Sequence, residues 1–150
     1  MTPSYKRKFI LLYSFNIVVP LLLGLMIYLF YRRDSYLFDI ARKVLYLPAD
    51  VPAYLPAWLE LFTRNFVADI LWAYSLAFAV SAAIREWTSH KWVVFAICIG
   101  FVVFVEWLQY IKVFHGTFDI IDILLEAGAV ALAILIITKS ERKNHDEKNT

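Results

Sequence analysis

Four runs of predominantly apolar residues, each long enough to cross a bilayer, limit what this chain can fold into. They lie at 9–31, 66–84, 92–111 and 120–138. A hydrocarbon core about 30 Å thick needs roughly 20 residues of α-helix at 1.5 Å per residue. In hydrocarbon a backbone must satisfy its own polar groups, so such runs become helices. The expected fold is all-α: a polytopic membrane bundle of four transmembrane helices.

Composition agrees. Hydrophobic residues make up 61% of the 150 and charged residues 19%, against about half and about a quarter in soluble domains. Residues 1–138 are expected to form a single transmembrane domain, leaving no room for a separate soluble catalytic unit. Residues 139–150 form a charged tail without aromatics, expected to be disordered. A formal net charge of +2 is too small to argue for nucleic acid. The basic residues cluster beside apolar runs, where they read as topology signals and lipid contacts. The lone cysteine, Cys98, excludes an intrachain disulfide and reads as a small buried apolar residue.

The first run follows Lys6-Arg7-Lys8, as a secretory signal would. It is longer than a signal's apolar core and lacks a small-x-small cleavage site, so it is expected to be a retained span. Within it Asn16, Pro20 and Gly24 recur every four residues. One face therefore holds the polar and helix-weakening positions, and that face is expected to pack on another helix. Trp58, Trp87, Trp92 and Tyr110 fall near span ends, as an interfacial aromatic belt requires, while Trp72 and Trp107 sit deeper.

The first loop, 34–65, is neither apolar enough to cross nor polar enough for disorder. Leu37, Ile40, Ala41 and Val44 share one helical face and Asp39, Arg42 and Lys43 the other, which predicts an amphipathic interfacial helix. Pro48, Pro52 and Pro56 then break the chain, and Pro56 is placed to open a short helix from Ala57 to Arg64 leading into span two. With four spans both termini share a side. That side carries nine Lys and Arg (6, 7, 8, 85, 91, 139, 142, 143, 148) and the other six (32, 33, 42, 43, 64, 112). The excess predicts cytoplasmic termini in a cell membrane.

Ionisable groups inside spans cost a few kcal/mol each and mark function. Here they gather at one end. Glu106 and Gln109 lie one turn apart near the close of span three; Asp119, Asp122 and Glu126 share one face at the start of span four; Asp69 follows Asn65 by a turn at the start of span two. The short link 112–118 makes spans three and four antiparallel neighbours, which brings Glu106 and Gln109 to the depth of Asp122 and Glu126. Carboxylates crowded at that depth need protons or cations among them. Arg64, Lys112 and His115 are the local candidates. A divalent cation of the Mg²⁺, Ca²⁺ or Mn²⁺ type is another, with Glu106 and Asp122 as candidate ligands. Asp119 also reads as an ordinary helix cap. The chain has no phosphate-binding glycine loop, no His-x-x-x-His pair and no serine flanked by glycines.

The stretch Glu106-Trp107-Leu108-Gln109 followed by Gly116-Thr117-Phe118-Asp119-Ile120-Ile121-Asp122 resembles the VanZ-like family of bacterial membrane proteins. The family pattern is Glu-x-x-Gln near the end of one span, then Arg-x-x-Asp-x-x-Asp-x-x-x-Asn leading into the next. Glu106, Gln109, Asp119 and Asp122 match in type, order and spacing. Gly116 occupies the arginine slot and Glu126 the asparagine slot, which removes a cation and adds an anion. The resemblance implies a bacterial cell-envelope role linked to surface lipids or wall precursors and to tolerance of teicoplanin-type glycopeptides. It supplies no reaction.

Three functions follow as expectations. The first is a non-enzymatic envelope protein whose outer-leaflet acidic cluster (Asp69, Glu106, Gln109, Asp119, Asp122, Glu126) binds a lipid or lipid-linked wall-precursor headgroup. The second is a membrane-embedded, metal-dependent enzyme acting on lipid headgroups. The third is a small ion-coupled carrier, which four short spans would accommodate as a homo-oligomer.

Overall fold

The structure, a computed structural model, describes residues 3–31, 40, 43–44, 46, 56–84, 91–113 and 119–149. Its long helices are α1 (Pro3–Tyr31), α2 (Ala57–Ala83), α3 (Lys91–Tyr110) and α4 (Ile120–Asn149). All four are long and apolar enough to cross a membrane, and no strand occurs among the described residues. The chain is an all-α, multi-pass membrane bundle.

Helix α2 packs against each of the other three, and α3 also packs against α4. The contact of α1 with α2 is antiparallel and uses the face that carries Asn16, Pro20 and Gly24. Gly24 is buried, and a Cβ built on it would stand 3.4 Å from the carbonyl oxygen of Ala68 and 3.8 Å from Cβ of Leu71. Further along, Tyr74 Oη donates to Oδ1 of Asn16 at 2.6 Å, and the hydroxyls of Tyr13 and Ser81 are 3.2 Å apart. Asn16 Nδ2 donates in turn to the Leu12 carbonyl at 2.8 Å. Hydrogen bonds between spans stabilise by roughly 0.6 kcal/mol each, and close backbone approach adds dispersion.

The core on the other side of α2 is built from small residues. Ala73 and Ala77 on α2, and Ala129 and Ala133 on α4, are four apart on their helices and buried in one cluster with Tyr13, Phe78, Val94, Cys98, Val130 and Ile137. Such spacing lets helix axes approach where lipid offers no hydrophobic drive between helices. Cys98 is fully buried there, as its reading as a small apolar residue requires. Outward lie exposed large apolar side chains, among them Leu11 and Leu22 on α1, Ile97 and Phe104 on α3, and Leu132 and Leu135 on α4. In water this surface would be an aggregation liability; in a bilayer acyl chains cover it.

Three boundaries differ from expectation. The short helix after Pro56 forms, with the Leu59 and Glu60 amides donating to the Pro56 carbonyl at 2.9 and 3.0 Å, but it runs without a break into span two through a π-helical turn at Thr63–Val67. Helix α4 does not stop near Thr138. It continues to Asn149, so the segment expected to be a disordered tail is helical. No Gly or Pro follows Thr138, and the Lys, Glu and Arg there are good helix formers, so nothing ends the helix where the apolar run ends. Of the amphipathic segment expected near 37–44, only Ile40, Lys43 and Val44 are described, each helical and exposed; the rest lies outside the described residues, as do His115 and Gly116.

Candidate functional site: an acidic cluster at one end of the bundle

The antiparallel order brings the start of α2, the end of α3 and the start of α4 to the same end. Each contributes carboxylates. Glu106 lies one turn before the end of α3, roughly 6 Å in from Tyr110, and Glu126 lies roughly 9 Å in from the first residue of α4. Glu106 is only 4% exposed. Its Oε2 accepts the main-chain N–H of Asp119 at 3.2 Å. Asp119 in turn accepts the Ile121 N–H at 2.8 Å on Oδ1, the expected cap at the start of α4. Two successive carboxylates thus satisfy amides at one helix start, where the dipole favours negative charge.

The remaining acids are close enough for their charges to be felt. Glu126 experiences the fields of Asp69, Glu106 and Asp122, and Glu106 those of Asp69 and Asp119. Five carboxylates from three helices therefore occupy one electrostatic neighbourhood. Asp69, Asp119, Asp122 and Glu126 are all half-buried, and Oδ1 of Asp122 is shielded from solvent. Gln109, also half-buried, acts through its main chain at the end of α3. Its carbonyl accepts the Lys112 N–H at 2.9 Å while the Val113 N–H reaches the Leu108 carbonyl at 2.9 Å. This pair of bonds is a Schellman closure with Lys112 in the left-handed region at φ 59°.

No family model, curated protein or solved structure matches the chain. The reading of the site rests on its chemistry.

That chemistry is anionic and not caged. Among the described residues no three His, Cys, Asp or Glu side chains are grouped so as to hold a metal ion. Glu106 and Asp122, the candidate metal ligands, are thus not joined in such a group by a third His, Cys, Asp or Glu among those residues. Of the cations expected nearby, Arg64 is exposed, with its Nε 3.5 Å from Asn65 Oδ1, and Lys112 is exposed at the close of α3. The sequence carried no signal for the π-helical turn two residues before Asp69, because π turns have no residue signature. Such turns insert one residue into the helical count, so Asp69 faces a different direction from the one an unbroken α-helix from Ala57 would give it.

Proposed function

We propose that this is a VanZ-like integral membrane protein of the bacterial cell envelope, whose acidic cluster binds the cationic part of a lipid or lipid-linked wall-precursor headgroup. In this reading it contributes to tolerance of teicoplanin-type glycopeptides. The supporting observation is the convergence of Asp69, Glu106, Asp119, Asp122 and Glu126 from three helices on one end of the bundle. A headgroup amine entering there would meet several carboxylate oxygens at once, and charge-assisted hydrogen bonds in a partly desolvated site are strong. The nine-to-six distribution of Lys and Arg favours cytoplasmic termini, which turns the acidic end outward, towards wall precursors.

A metal-dependent enzyme on lipid headgroups is the less supported reading, since the described carboxylates do not group around a metal position. A carrier would need polar groups spread across the bilayer, whereas the carboxylates here lie at one end.

The test uses Glu106→Gln and Asp122→Asn. In cells each is expected to lower glycopeptide tolerance, and in purified form to weaken association with an amine-bearing lipid relative to phosphatidylcholine. Folded variants that leave both properties at the wild-type level would refute the proposal.

A further inference from the structure

The opposite end of the bundle carries the reverse charge. Arg7 on α1, Lys91 on α3, and Lys139 and Arg142 on α4 are all exposed, and the acids on the same stretch of α4 are Glu141, Asp146 and Glu147. Each base lies a short way beyond the buried core on its own helix, where Tyr13 of α1, Val94 of α3 and Ile137 of α4 are the core's outermost members towards this end. Counted from those residues at the helical rise, Arg7 is roughly 9 Å outward, Lys91 about 4.5 Å, and Lys139 and Arg142 about 3 and 8 Å. The headgroup layer outside the hydrocarbon is about 5 to 8 Å deep on each side. Trp92, next to Lys91 and 81% exposed, marks where an interfacial aromatic belongs.

The arrangement around the bundle identifies the partner. Helix α1 packs on α2, and α3 and α4 form their own contact against α2 as well. The bases therefore sit on three helices around the rim. A compact acidic protein would need them on one face. A layer of separate small anions meets all of them.

We infer that this basic rim binds the phosphate-bearing headgroups of anionic phospholipids and holds the protein at a fixed depth in the leaflet that faces its termini. Each base near an anionic surface strengthens association roughly fivefold, so the four together recruit an annulus enriched in anionic lipid. This surface is distinct from the acidic cluster, and neither inference depends on the other.

The full chain is reconstituted in phosphatidylcholine vesicles, and its association with spin-labelled phosphatidylglycerol is compared with spin-labelled phosphatidylcholine. A preference of at least threefold for phosphatidylglycerol is expected at low salt, falling towards unity in 1 M NaCl. The triple variant Arg7→Gln/Lys139→Gln/Arg142→Gln should lose most of that preference, while Lys112→Gln, at the other end, keeps it. Inorganic phosphate at millimolar concentration should not compete. Equal association of both lipids with the wild type, a salt-independent preference, an unchanged preference in the triple variant, or displacement by free phosphate would each overturn the inference. The salt series on the wild type decides the matter even if the triple variant fails to fold.

Discussion

The Oε2 of Glu106 accepts the main-chain N–H of Asp119 at 3.2 Å, so a buried carboxylate of α3 anchors the start of α4, 13 positions further along the chain. Glu106 is therefore both part of the acidic cluster and a fastener between two spans.

The two roles separate by substitution. Glu106→Gln keeps an oxygen acceptor for the Asp119 N–H and removes the charge, so unfolding in detergent should change by under about 1 kcal/mol while headgroup binding falls. Glu106→Ala removes the acceptor and should destabilise by roughly 1 to 3 kcal/mol. Equal stability of the two variants would show that the hydrogen bond is not what Glu106 contributes.

Helix α1 is held by contact and by hydrogen bonds, and each can be weighed. Gly24→Leu must push the backbone of α1 away from Ala68 and should destabilise by about 1 to 3 kcal/mol. Gly100 on α3 has nothing within 4 Å of its would-be Cβ. Gly100→Ala should therefore be neutral or stabilising by up to about 1 kcal/mol, the difference in helix propensity. Thermal unfolding of the two variants side by side checks both signs.

Tyr74→Phe removes the donor to Asn16 Oδ1 and should destabilise by roughly 0.6 kcal/mol, with about 1.7 as the upper bound for such bonds between spans. A double-mutant cycle with Asn16→Ala isolates the pair. A coupling near zero would mean that the Asn16 bond to the Leu12 carbonyl suffices for it.

At the close of α3, Lys112 adopts φ 59°, a conformation that a side chain disfavours by roughly 1 to 2 kcal/mol. Lys112→Gly should relieve that strain and stabilise the bundle by about 1 kcal/mol, measured as a shift in the detergent unfolding midpoint.

Much of this was legible from residue order. The Asn16, Pro20, Gly24 spacing correctly indicated the face of α1 that packs, because a polar group, a missing amide and a missing side chain are each tolerated only against protein. Pro56 correctly marked a helix start, since proline suits the edge of a helix and not its interior. The depth of Glu106 and Glu126 followed from counting at a fixed rise per residue. The π turn at Thr63–Val67 and the continuation of α4 past Thr138 were not legible. A π turn arises from how a helix is accommodated by its neighbours. A helix end without Gly or Pro is set by whether the next turn gains enough from propagation to continue.

By itself the sequence determined four spans, their alternation through the bilayer and the end at which the acids gather, because hydrocarbon thickness and the demand for internal hydrogen bonds leave a chain this apolar no other choice. Tertiary structure decided that α2 is the common partner of the other helices, that alanines four apart set the α2 and α4 core, and that Glu106 binds the start of α4. Rotation of one span against another depends on which small side chains allow close approach. All outward faces here are about equally apolar, so hydrophobic patterning could not choose between them, and shape and hydrogen bonding did.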